Sequence, residues 1–246
     1  MPASSYLYSH MAAGKGLAYD KSYETDHLHQ YFWQREQFIL DRILAEFFAD
    51  TPIDLLDFAC GTGRITSALE NKVQTATGVD VSEAMLEVAR QKLHRTKLYK
   101  GNLLQEPLFP DRKFNLITAF RFFVNAEPEL RLAALRALEP LLARDGYFVF
   151  NNHQNLNASY IRLALVYARR RGFQLDNVLS IAQCRELFAS VGLEIVRIYA
   201  VGILHLPKIK LPHSLYRLAD RLVGSSKMLA PHSESPILVA RRSIHR

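Results

Sequence analysis

An apolar segment, Ile53 to Phe58, runs into Ala59-Cys60-Gly61-Thr62-Gly63, and a second apolar run, Thr75 to Val79, ends in Asp80. No other feature constrains the chain as strongly as this pair. The first run reads as a buried strand, the stretch with two glycines as a turn, and Arg64 to Glu70 as a helix. Glycine has no Cβ, so such a turn lets a ligand approach backbone N–H groups. The second run reads as a strand that delivers Asp80, whose carboxylate can accept hydrogen bonds from both hydroxyls of a ribose. The two halves stand at the spacing that nucleotide-binding folds use.

A dinucleotide fingerprint needs a third small residue three positions after the second glycine. That position holds Thr66. Asp57, at the first strand end, would repel a pyrophosphate and welcome a cationic ligand. Asp57-x-Ala59-x-Gly61-x-Gly63, followed by Gly78-Val-Asp80-Val-Ser82-x-x-Met85-Leu, resembles the class I S-adenosylmethionine-dependent methyltransferases. Ala59 stands where that family usually has its first glycine. The resemblance covers about residues 50–200 and is specific for the cofactor, not for the acceptor.

The resemblance implies S-adenosyl-L-methionine as cofactor. It places the cofactor against Tyr19, Asp57, Ala59, Gly61, Gly63, Arg64, Asp80, Val81, Met85, Gly101, Asn102, Leu103, Ala119 and Phe120. Asn102 stands where the family often has an acid that reaches the adenine amino group, and its side-chain oxygen can accept that bond. The Tyr19-Asp20…Tyr23 element resembles arms that close over the cofactor in small-molecule members.

Strands and helices alternate along the chain, which implies a parallel sheet with helices on both faces. Strands are expected at Ile53–Phe58, Thr75–Val79, Lys97–Lys100, Phe114–Phe120, Tyr147–Asn151, Leu193–Val201 and Ile237–Ala240. Tyr31–Phe48 repeats apolar residues at helical spacing. Ser82 is placed to cap a helix, and Pro128 opens another. The fold class is α/β, a Rossmann-like, seven-stranded and mostly parallel sheet. By resemblance alone, the last strand is expected to insert antiparallel between the fifth and sixth. Residues 1–50 form an N-terminal arm and cap helix, and 51–246 the methyltransferase domain with a lid insertion at about 203–235.

Length and composition suit one α/β domain with additions. Two cysteines, Cys60 and Cys184, are too few for a disulfide scaffold or zinc cluster, so no metal is expected. No basic-flanked apolar leader opens the sequence and no stretch reaches the length of a membrane span, so the expectation is a cytoplasmic protein. The net charge of +7 is local. From Ile203 to Arg246, eight Lys and Arg residues face only Asp220 and Glu234.

Ligands in such sheets bind beyond the carboxyl ends of the strands. His153, after the fifth strand, is the general-base candidate, with an unperturbed pKa near neutrality. Asn125 and Asn152 are candidates to orient a polar acceptor, Arg121 to bind an acidic group, and Tyr23 and Arg217 to contact the acceptor. Within the insertion, Leu215, Leu218, Ala219, Leu222 and Val223 form a helical stripe, expected to be buried, with Arg217 and Arg221 on the other side. The leading reading of that helix is a basic lid, and its rival is a membrane-surface helix.

The expected function is methyl transfer to an oxygen or nitrogen of a small molecule, with an anionic, sugar or natural-product acceptor in view. RNA or protein methylation is the alternative, and a non-catalytic cofactor-binding protein is another. The basic pI of about 9.4 favours nucleic acid. Against it, the fourth-strand end, Phe120-Arg121-Phe122-Phe123, lacks the Asn/Asp-Pro-Pro-aromatic element used on base amino groups. Acceptor identity and oligomeric state are open at this level.

Overall fold

The computed structural model describes residues 25–170, 177–204, 211–224 and 226–244. In chain order these form α1 (His27–Phe47), β1 (Asp54–Phe58), α2 (Arg64–Leu69), β2 (Thr75–Asp80), α3 (Glu83–Lys92), β3 (Thr96–Lys100), β4 (Phe114–Ala119) and α4 (Pro128–Leu138). There follow β5 (Leu142–Asn151), α5 (Ser159–Arg170), α6 (Ile181–Ala189), β6 (Leu193–Tyr199), α7 (His213–Val223) and β7 (Ile237–Arg242).

The seven strands make one sheet in the order β3-β2-β1-β4-β5-β7-β6. The pairs β1–β2, β1–β4, β2–β3 and β4–β5 are parallel, and β7 runs antiparallel to both β5 and β6. The Rossmann-like class and the antiparallel last strand are therefore as expected. Order reverses between β1 and β4, with β2 and β3 on one side and β5 on the other, and that switch point is where a crevice opens.

Side chains alternate across the sheet. Leu55, Leu116, Val149 and Val239 face one core, closed by Tyr31, Ile39 and Ile43 of α1 and Ile65 and Leu69 of α2. Leu56, Ile117, Phe148, Phe150 and Leu238 face the other, closed by Leu135 of α4 and Phe188 of α6. Phe150 stacks on Phe188 with ring centroids 4.2 Å apart. Truncating Phe188 to alanine would cost about 3–5 kcal/mol in such a setting.

Caps explain several boundaries. Asp26 accepts from the N–H groups of Leu28 and His29, so α1 begins before Tyr31. Ser82 caps α3 through Met85, as its position suggested. β5 begins at Leu142 and not after Gly146, because Leu142 already pairs with Phe114 ahead of an irregularity in the ladder.

The expectation for the insertion helix is overturned. α7 does not bury its leucine stripe. Leu215, Leu218 and Leu222 are 45, 53 and 74% exposed, while Tyr216 and Asp220 are buried. The helix docks on α1 through polar groups. Tyr31 donates its hydroxyl to Asp220 Oδ2 at 2.6 Å, and the same carboxylate accepts the N–H groups of Gly202 and Ile203 at 2.9 and 2.8 Å. A carboxylate that holds three donors anchors a helix without any apolar stripe.

Candidate functional site

The turn after β1 is fastened to the end of β2. Cys60 N–H donates to Val79 O, and Gly61 N–H donates to Asp80 Oδ2 at 2.8 Å. Asp80 Oδ1 accepts Ser82 N–H at 2.8 Å. A carboxylate offers about four acceptor sites, the number a vicinal diol and two backbone donors together require. The two backbone bonds fix the carboxylate's orientation in advance.

Gly61 lies at φ +55°, and the space where a Cβ would stand is open. It forms a cradle that a ligand can fill, which is the fit expected of a cofactor turn. Ala59 lies at φ +54°, a left-handed conformation that costs a residue with a Cβ about 1–2 kcal/mol. The family's usual glycine at this position has a plain backbone reason. Gly63 serves packing instead. A Cβ there would stand 2.7 Å from Leu93 Cδ1, and Gly63 does not line the pocket.

Asp57 is buried beneath the turn. It accepts Thr66 Oγ1 at 2.5 Å and Thr118 Oγ1 at 2.7 Å. Register places it beside Gly78 of β2 and Thr118 of β4. Burial pushes its pKa up to about 6, against the two threonine hydrogen bonds and the Arg64 charge, which lower it. Thr66, which breaks the dinucleotide pattern, is thus a donor to the strand-end acid. Burial also holds the neighbouring Cys60 thiol well above its ordinary value.

Arg64 forms a buried ion pair with Glu36 of α1, and the Trp33 ring stacks on its guanidinium at 4.6 Å. α1 is thereby tied to the cofactor turn. Glu36 was not marked by the sequence, because its partner lies 28 residues away and no local motif announces it.

The pocket at the switch point gathers Asp57, Ala59, Gly61, Arg64, Asp80, Val81, Met85, Gly101, Asn102, Leu103 and Phe120 from the expected cofactor set, and Arg121 and Asn125 from the expected acceptor set. Asn102 Oδ1 accepts Leu104 N–H at 3.0 Å, a turn-forming bond that aims the loop at the pocket. Arg121 is held at φ +60°, and its N–H donates to Asn151 Oδ1 at 2.6 Å. Asn125 Nδ2 donates to Arg121 O.

Other expected residues lie elsewhere. Ala119 is fully buried in the sheet core. Asn152 turns inward, and its Nδ2 donates to Leu179 O at 2.9 Å and to Asn155 Oδ1 at 3.2 Å. Asn155 in turn donates to Pro231 O and Ser233 O. This polar knot fixes the turn after β5 and leaves Asn152 no reach into the pocket. His153 sits half-buried in the same turn and does not line the pocket. Arg217 lies in a separate groove between α1 and α7. No described residue of 203–235 lines the cofactor pocket. Tyr19 and Tyr23 lie outside the described residues. Among the described residues no group of three or more His, Cys, Asp or Glu is placed to hold a metal ion, and no helix is long and apolar enough to cross a membrane.

An open α/β sheet in this order, with a glycine turn fastened to a ribose-spaced acid, defines a nucleotide-cofactor protein of the methyltransferase type. Comparison with known proteins agrees. Residues 55–146 match the family described as a methyltransferase domain. An uncharacterized methyltransferase of Oceanobacillus iheyensis is 24% identical over 168 residues, 68% of this chain and 72% of that protein. Demethylmenaquinone methyltransferase of Staphylococcus aureus is 32% identical over 114 residues, but the match spans only 44% of this chain and 46% of that protein. Magnesium protoporphyrin IX methyltransferase of Synechocystis PCC 6803, solved with bound SAH, superposes with a TM-score of 0.64 at 16% identity, covering 94% of this chain and 95% of that one. Residues 55–146 thus match a methyltransferase domain, the fold is shared with solved methyltransferases, and S-adenosyl-L-methionine is the cofactor that these similarities imply.

Proposed function

We propose that the protein transfers a methyl group to an oxygen or nitrogen of a small-molecule acceptor, with an anionic group on that acceptor recognised by Arg121. The observation that carries this reading is the position of Arg121. It stands on the wall of the pocket that holds Asp57, Gly61 and Asp80, in a left-handed backbone conformation that Asn151 supports. Strain of this kind persists where surrounding structure over-determines it, and it aims a side chain. The S. aureus relative and the Synechocystis protein are each named for a small-molecule substrate, which favours the same class here.

In this reading Asp80 accepts the ribose hydroxyls, the backbone of Ala59 to Gly61 gives the amino-acid end room, and Asn102 with Leu103 flanks the adenine. The bound cofactor supplies an electrophilic methyl on a sulfonium. The chain's own part is placement: in-line displacement needs the nucleophile about 3–3.5 Å from the methyl carbon. Among the described residues no histidine lines the pocket. We therefore assign the reaction to positioning and not to a histidine base on the described wall.

Screening acceptors with labelled cofactor tests the function. Turnover of an acidic small molecule, with Arg121→Ala raising its KM and leaving cofactor affinity unchanged, is the expected result. Cofactor binding without turnover of any acceptor would favour the non-catalytic alternative.

A further inference from the structure

A second concavity lies away from the cofactor pocket, between α1 and α7. Its walls include Arg35, Arg42, Arg217 and Arg221, with Phe38 and Leu218 between them. Arg35 and Arg42 are partly answered by Asp220 and Glu46, at 3.6 and 3.7 Å. Arg217 and Arg221 have no carboxylate within ion-pair distance among the described residues. Phe38, at 56%, and Leu222, at 74%, are more exposed than a folded surface needs.

The face of α7 opposite its anchor is thus apolar, and arginines flank it. Tyr216 and Asp220 point at α1, and Leu215, Leu218 and Leu222 point outward. This inverts a surface helix of a globular protein, which turns leucines in. It matches a helix lying in the plane of a membrane interface, with leucines at the acyl boundary and arginines on lipid phosphates.

We propose that the α1–α7 face binds the surface of an anionic phospholipid bilayer. Charge and polarity together choose this occupant. A second copy seated face to face would gather the arginines of both protomers into one interface with no carboxylate of the groove lining to answer them. A nucleic acid would answer the arginines but leave three leucines and Phe38 against a polar backbone. An anionic membrane answers both. The proposal adds a location to the methyltransferase reading and does not depend on which acceptor the pocket takes.

The test is flotation of the full chain with phosphatidylcholine vesicles, with and without phosphatidylglycerol. Binding is expected on the anionic vesicles, weakening with salt. Arg217→Ala with Arg221→Ala should lower the partition coefficient by about ten- to thirtyfold, since each basic residue near such a surface contributes about a factor of five. Leu218→Ser with Leu222→Ser should lower it as well. Both leucines are exposed, and titration of that variant with S-adenosylhomocysteine checks that it is folded. Equal binding to neutral and anionic vesicles, or none to either, would overturn the proposal. So would concentration-dependent dimerisation abolished by the leucine pair, or tight salt-sensitive RNA binding abolished by the arginine pair.

Discussion

Arg64, in the first turn of the helix after the glycine loop, and Glu36, in the middle of α1, meet in a buried ion pair. It joins a segment before the sheet to the cofactor turn, under the ring of Trp33. Removing one member of a buried pair leaves the other charge desolvated, which costs about 3–5 kcal/mol. Glu36→Gln is expected to lose that much stability in urea unfolding, and Glu36→Leu with Arg64→Leu to lose less. If the double change is as costly as the single one, the pair is not the source of the loss.

Asp80→Ala should weaken S-adenosylhomocysteine about ten- to a hundredfold, because the ribose hydroxyls lose their acceptor and Gly61 N–H loses its partner. Asp80→Asn keeps one acceptor and should fall between. Titration calorimetry reads both, and unchanged affinity in the alanine variant would remove Asp80 from the site.

Asp57 predicts a pH effect with a definite sign. Its carboxyl titrates near 3.8 when unfolded and is pushed up to about 6 by burial in the fold. Between those values the native state binds the proton more tightly, so stability falls as pH rises and levels off above about 6. The span corresponds to about 3 kcal/mol. Unfolding free energies of the wild type and Asp57→Asn, compared across that window, should differ by a slope present only in the wild type. Parallel curves would show that Asp57 keeps an ordinary pKa.

His153→Ala is expected to retain most of its turnover, because the residue stands off the pocket wall. General-base removal typically costs about 10²–10⁴-fold. A loss of that size at unchanged cofactor affinity, with the acidic limb of the pH–rate profile abolished, would return His153 to the chemistry.

The cofactor half of the site was legible because its signals are local. Gly61, Asp57 and Asp80 stand at strand ends that periodicity locates, and backbone geometry ties their roles to their places in the chain. The acceptor half was less legible. Asn152 reads as a residue to orient the acceptor, yet it hydrogen-bonds inward to Leu179 O and to Asn155, which in turn holds the carbonyls of Pro231 and Ser233. Only the fold brings those carbonyls near. α7 misled for a related reason. A leucine stripe implies burial unless a polar anchor does the docking, and the Asp220–Tyr31 hydrogen bond joins residues 189 positions apart.

β7 sits between β5 and β6, so the strand that comes last along the chain closes the middle of the sheet's far half. During synthesis β1 to β4, with the glycine turn and Asp80, can pair as they emerge. β6 has no neighbour until β7 arrives, and until then two strand edges stand open to other chains. The segment leading into β7 also carries Ser235, which Asn151 Nδ2 meets at 3.4 Å, and Asn151 in turn holds Arg121. The strand pairing of the nucleotide half therefore needs no residue beyond β4. The turn that aims Arg121 acquires its full support only when the final strand slots in.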